Sequence, residues 1–302
     1  MTNAPEMRDR SVVRLSVMPS VKYSCSLPPA ILANGRTTME SRGGEAARCV
    51  AGRATVEGGV MIDLARMKGV YVDASRQTVR AQGGVTWAEL NRETQLHGLA
   101  VTGGVVSTTG IAGLTLGGGI GWLMGKYGLA LDNLHSVELV TAEGRVLRGS
   151  AEENPDLFWA VRGGGGNFGV VTSFEYRLFP VGPTVTRGLI AYSFECAREM
   201  LRFYRDFTAS IPDEHTVAAT LVHAPDGSGT KLAAVVACHC GSLAEGEAAT
   251  RPLNEFGSPV IAPLGAMPYC QLNRMLDDGY PKGALNYWSS RPENPPASPD
   301  TV

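Results

Sequence analysis

The chain has 302 residues, enough for two domains, with 44% apolar and 19% charged residues and a net charge of −2. That balance gives no reason to expect nucleic acid or an anionic membrane as a partner. No apolar run approaches the roughly 20 residues that cross a bilayer, and Arg8, Arg10, Arg14 and Lys22 interrupt any secretory h-region, so the expected location is cytoplasmic.

Residues 1–47 show little periodicity, scattered charges and four prolines, and are expected to be poorly ordered. From Val50 the texture changes. Residues 60–64, 69–73 and 78–84 read as three short strands. Thr86 and Glu89 form a T-x-x-E capping box that opens a helix running to about Leu96, with Gly98 as its stop. Between Gly103 and Gly128 there are ten glycines in 26 residues. Then HSVELVTAEGRVLRGS reads as a hairpin turning at Glu143-Gly144. Asn154-Pro155 opens a short helix. A second glycine run, Gly163–Gly169, leads into the strand-like VVTSFEYRL.

A different pattern begins at Pro183. A strand over TVTRGLIAYSF precedes an amphipathic helix with Ala197, Met200, Leu201, Tyr204, Phe207 and Ile211 on one face. Two strands joined by PDGSG and a helix over 243–256 follow. This β-α-β-β-α order predicts an α+β layer, an antiparallel sheet with helices on one face. Four prolines in the last twelve residues exclude a packed element there.

Six cysteines without C-x-x-C spacing read as reduced thiols. Cys238-His239-Cys240 has the letters of a metal triplet, but it ends a strand, where His239 faces away from both cysteines. No metal is expected. The five scattered histidines read as surface or core residues rather than catalytic ones.

Glycine-rich loops let backbone N–H groups approach a polyphosphate. Gly164-x-Gly166-x-x-Gly169 has the letters of a dinucleotide fingerprint, but it follows a helix and precedes a strand, the inverse of the Rossmann order. Gly125-Lys126 is followed by Tyr127, which excludes a P-loop. There is no G-x-S-x-G elbow and no H-E-x-x-H helix.

The segments AQGGVTWAELNRETQLHGLA, TTGIAGLTLGGGIGWLMGKYGLALDNL and ENPDLFWAVRGGGGNFGVVTSFEYRL, in this order and spacing, resemble the FAD-linked oxidase family, with its PCMH-type FAD-binding domain, in the berberine-bridge-enzyme-like branch. The resemblance covers about residues 50–290. It implies an α+β fold in which residues 48–181 form the FAD-binding domain, with an incomplete N-terminal lobe. Residues 182–290 would be part of an antiparallel-sheet substrate domain, and 291–302 a disordered tail. It implies FAD lined by Thr108, Thr109, Gly110, Gly113, Gly118, Gly119, Gly121, Asn133, Gly169 and Val171. Some of these glycines would serve tight turns alone.

The chain departs from the family at both flavin tethers. Arg48 stands where the linking His is expected, and Val106 where a linking Cys occurs, so any FAD is expected to be non-covalent. Both ends read as truncated or replaced. The implied activity is oxidation of an alcohol or amine carbon of a small-molecule substrate with dioxygen as acceptor. Tyr287, beside Trp288, is the candidate base, or else a core or edge aromatic. A degenerate, non-catalytic relative with weak or no FAD binding is the alternative.

Overall fold

The computed structural model describes residues 14–17, 60–224, 226–262 and 264–280. Arg48, Tyr287 and the proline-rich tail lie outside them. Within residues 1–47, whose sequence shows little periodicity, β1 (Arg14–Val17) pairs antiparallel with β2 (Val60–Asp63).

The first domain holds β3 (Val70–Asp73), β4 (Thr78–Gln82), β5 (Leu99–Ala100), β6 (Leu134–Val140), β7 (Val146–Ser150), β8 (Val170–Arg177) and β9 (Phe179–Pro180). Five of these form one sheet in the order β3-β4-β8-β6-β7, every neighbouring pair antiparallel. β8 is inserted between β4 and β6, so chain segments far apart in sequence become neighbours. One face of the sheet carries Val79, Ala81, Val137, Leu139, Phe174 and Tyr176, all buried. The helix Trp87–Gln95 covers part of this core with Trp87 and Leu90.

That helix starts where the sequence places it. The Thr86 side chain accepts from the Glu89 amide, and the Glu89 carboxylate accepts from the Thr86 amide at 2.8 Å. Lys68 donates to the same carboxylate at 2.6 Å. At the helix Pro155–Val161 the expectation is met differently. Asn154 is left-handed (φ 50°), and its side chain donates to the Arg148 carbonyl instead of capping the helix.

The second domain is a four-stranded antiparallel sheet in the order β11 (His215–His223), β12 (Lys231–His239), β10 (Thr184–Ser193), β13 (Leu264–Pro268). The helices Ala197–Thr208 and Leu243–Glu255 pack on one face, against Ile190, Tyr192, Ala233, Val235 and Ala237. β12 is buried on both faces, which is why it reads as a continuous apolar run. Its other face, with Val236 and Cys238, packs with Trp122, Leu123 and Val181 of the first domain.

The strand alternation sorts Cys238-His239-Cys240 as expected. Both cysteines join the interdomain core. His239 turns to the helix side, where it pairs across strands with His215. The two rings lie 5.7 Å apart, both residues are 2% exposed, and none of their four ring nitrogens has a hydrogen-bond partner. Among the described residues no cluster can hold a metal, and no helix is long and apolar enough to cross a membrane.

Candidate functional site

The first glycine stretch is not one loop. It contains two short helices, Ile111–Leu116 and Met124–Tyr127. The segment leading in is stitched to the helix Trp87–Gln95. The Trp87 amide donates to the Thr109 carbonyl and the Ala88 amide to the Ser107 carbonyl, both at 2.9 Å. The loop thereby satisfies amides that a helix N-terminus leaves unpaired.

Thr108 and Thr109 are half-buried in this turn, and the Thr108 hydroxyl is buried without a partner. Gly110 opens the helix Ile111–Leu116. Gly113, on the first turns of that helix, is exposed, and a Cβ added to it would meet nothing within 4 Å. Thr115, two residues further on, anchors the helix to the sheet through a 2.8 Å hydroxyl bond with Tyr176. Burial holds the Tyr176 phenol well above the ordinary tyrosine range, so it stays protonated.

Other residues of the predicted set brace the loop. The carbonyls of Gly118 and Gly119 accept from Leu131 and Ala130 at 3.0 and 2.9 Å. At Gly121 only hydrogen fits, because a Cβ would overlap the Gly103 carbonyl oxygen. Asn133 is buried and donates to the carbonyls of Tyr127 and Leu129 at 2.9 and 2.8 Å. Gly169 enters β8 at φ +149°, where a Cβ would lie 2.5 Å from the Val140 carbonyl oxygen. Val171 is in the core of the first domain.

The structure brings the two glycine stretches together at one atom. The Leu116 carbonyl, at the end of the helix Ile111–Leu116, accepts from both Gly163 and Gly165 at 3.0 Å. At Gly163 and Gly165 nothing lies within 4 Å of an added Cβ. The helix Pro155–Val161 precedes this run and β8 follows it, the inverse of a Rossmann arrangement.

The second domain closes on the first stretch. Tyr127 stacks on Phe179 of the first domain, with ring centroids 4.0 Å apart, and turns the stretch toward the second. Gly125 runs against the Asp213 backbone, and Lys126 meets Glu214 at 3.1 Å. The segment after β13, which carries no periodicity in sequence, forms the helix Tyr269–Leu272 and a turn at Asp277–Gly279. From it Asn273 donates to the Gly104 carbonyl at 2.5 Å. Asp277 accepts from the Ser107 amide at 2.8 Å and the Ser107 hydroxyl at 2.6 Å. Sequence reading misses both residues, because nothing local marks a contact to a partner about 170 residues away.

These features define a class: an α+β protein in which two joined glycine turns, of non-Rossmann order, lie beside a second antiparallel sheet. The comparisons place it further. Residues 42–150 match the family model described as an FAD binding domain. An FAD-linked oxidoreductase of Dictyostelium discoideum is 34% identical over 242 residues, covering 80% of this chain and 52% of that protein. (R)-6-hydroxynicotine oxidase of Paenarthrobacter nicotinovorans is 38% identical over 189 residues, covering 63% of this chain and 39% of that protein. The crystal structure of 6-hydroxy-D-nicotine oxidase from Arthrobacter nicotinovorans superposes with a TM-score of 0.71 at 31% identity, covering 79% of this chain and 53% of that one. The chain thus carries an FAD-binding domain match over residues 42–150 and resembles the FAD-linked oxidoreductases beyond it. It spans about half the length, or less, of the curated relatives it matches.

The residues present fit a flavin dinucleotide. The unpartnered Thr108 hydroxyl and the open positions at Gly113, Gly163 and Gly165 leave room and polar groups on the two joined turns.

Proposed function

We propose that the protein is an FAD-dependent oxidase acting on an alcohol or amine carbon of a small molecule, with dioxygen as electron acceptor. The observation that carries this reading is the junction of the two glycine turns at the Leu116 carbonyl, with open space at Gly113, Gly163 and Gly165. The relatives support it: proteins of this fold at 31% and 27% identity bear the names of a hydroxynicotine oxidase and a chitooligosaccharide oxidase.

The redox chemistry would be that of the flavin, which accepts a hydride from the substrate carbon and delivers electrons to dioxygen. This chain's own residues bind and orient. Thr108, Gly110 and Gly113 offer a hydroxyl and backbone amides to the pyrophosphate, while Gly119, Gly121 and Asn133 hold the turn that presents them. Val106, half-buried, has no thiol to offer the ring, so binding would be non-covalent. Removal of the substrate O–H or N–H proton falls to a side chain beside it, and Tyr287 is our candidate.

Purified protein is expected to be yellow, to release its flavin into the supernatant on acid precipitation, and to form hydrogen peroxide when an alcohol or amine substrate is supplied. A colourless protein that takes up no added FAD overturns the reading. Flavin uptake without peroxide from any such substrate favours the non-catalytic relative instead.

A further inference from the structure

Two side chains of the second domain reach into the first glycine stretch. Both come from the segment that follows β13, the edge strand paired with β10. Asn273, 1% exposed, holds the Gly104 carbonyl, and Asp277 holds Ser107 by both its amide and its hydroxyl. Ser107 itself is 3% exposed. These bonds fall on either side of Val105 and Val106 and directly before Thr108, whose hydroxyl is the unpartnered one.

The backbone of this stretch has no regular structure of its own to fix it. From the first domain, Ser107 and Thr109 are held through their carbonyls by the helix Trp87–Gln95. From the second domain, Ser107 is held through its donors. Hydrogen bonds to an ionised carboxylate are the stronger kind, and a two-point grip fixes orientation as well as position. A ligand that needs the Thr108–Gly113 donors in one arrangement therefore binds a chain whose arrangement depends on Asp277.

We propose that Asp277 is a positioning residue that couples the closure of the second domain to the conformation of the cofactor turn, so that flavin affinity depends on this carboxylate although it lies in the other domain. The coupling rests on the FAD reading above; the Asp277–Ser107 grip does not.

The test uses the full chain in four forms: wild type, Asp277→Ala, Ser107→Ala and the double variant. FAD affinity is measured by fluorescence quenching, and amide hydrogen exchange is followed across residues 103–110 without FAD. Asp277→Ala, which removes both bonds to Ser107, is expected to weaken FAD about tenfold, Ser107→Ala, which removes only the hydroxyl bond, to weaken it less, and the double variant to be no weaker than Asp277→Ala. Exchange across 103–110 is expected to rise in Asp277→Ala in the absence of any ligand. Asp277→Asn is expected to recover much of the affinity, because its carbonyl accepts from the amide while its NH2 donates to the hydroxyl oxygen.

A purely structural role predicts a lower melting temperature with FAD affinity within about twofold of wild type, and that result overturns the coupling. Exchange that does not change across 103–110 overturns it as well. If Asp277→Ala fails to fold, Ser107→Ala, which loses the hydroxyl bond and keeps the amide bond, decides through the same two readouts with a smaller expected change. A wild type that takes up no FAD overturns the flavin reading and the coupling with it, whereas a binding wild type with unaffected variants overturns only the coupling.

Discussion

Acidifying the protein from about pH 7.5 to about pH 5 is expected to destabilise the second domain through His215 and His239. Both rings are buried between the sheet and the helix side of that domain, with Phe207 edge-on to His215 and Gly241, Gly246 and Thr186 against His239. Burial, with a smaller contribution from His239, lowers the His215 pKa to about 4 from the usual 6.5. For His239 burial also lowers the pKa, with Lys126 acting in the same sense and Glu214 and Glu245 opposing.

In both cases the unfolded chain binds the proton more tightly than the folded one. Stability is therefore full above the unfolded value and is lost as pH falls from about 6.5 toward about 4. At about pH 5 the His215 difference alone corresponds to about 2 kcal/mol, and His239 adds to it with the same sign. That is a large part of the 5–15 kcal/mol typical of a folded domain. Urea unfolding followed by far-UV circular dichroism at several pH values measures it. His215→Leu removes one titrating ring and two unpartnered nitrogens, so its stability is expected to fall by about 2 kcal/mol less than wild type over the same range. Equal losses in the two proteins refute the reasoning.

Gly121→Ala is expected to cost about 3 kcal/mol or to prevent folding, because the new methyl overlaps the Gly103 carbonyl, whereas Gly113→Ala, in a helix and open to solvent, is expected to leave apoprotein stability unchanged or raised. Thermal melts with and without FAD separate them: Gly113→Ala is expected to lose the FAD-induced rise and Gly121→Ala to lose stability in both. Thr115→Val leaves the buried Tyr176 hydroxyl without its partner, and about 1–3 kcal/mol of unfolding free energy is expected to disappear in denaturant titrations. Asn133→Ala frees the Tyr127 and Leu129 carbonyls, and is expected to speed amide exchange locally over 127–133 while costing about 1–2 kcal/mol.

Short-range rules make much of this fold legible in the sequence. Thr86 and Glu89 announce the helix they cap, Glu143-Gly144 announces the hairpin of β6 and β7, and strand alternation already separates His239 from its flanking cysteines. The β-α-β-β-α order of the second domain follows from period alone. The placement of β8 between β4 and β6 does not, because strand partnering across the chain has no local signature. The helices Ile111–Leu116 and Met124–Tyr127 are hidden by their own glycines, which oppose helix by propensity and are overruled by packing and by Thr115. β13 and the Tyr269–Leu272 helix lie in a stretch with no clear period. At the site, the glycine letters alone do not tell a position that admits no methyl, such as Gly121, from one that opens on space, such as Gly113.

The pairing of β4 with β8 also sets an order of events in time. Thr78 meets Arg177 and Gln82 meets Ser173, so this one seam encloses both glycine stretches within a single large chain loop. Closing so long a loop is entropically unfavourable before its contacts form, and non-local pairings of this kind are slow. The Leu116 junction is therefore expected to form late in folding. A nascent chain would lack the joined glycine turns until β8 has been synthesised and has found β4, so uptake of the proposed flavin would be a late event in the maturation of this protein.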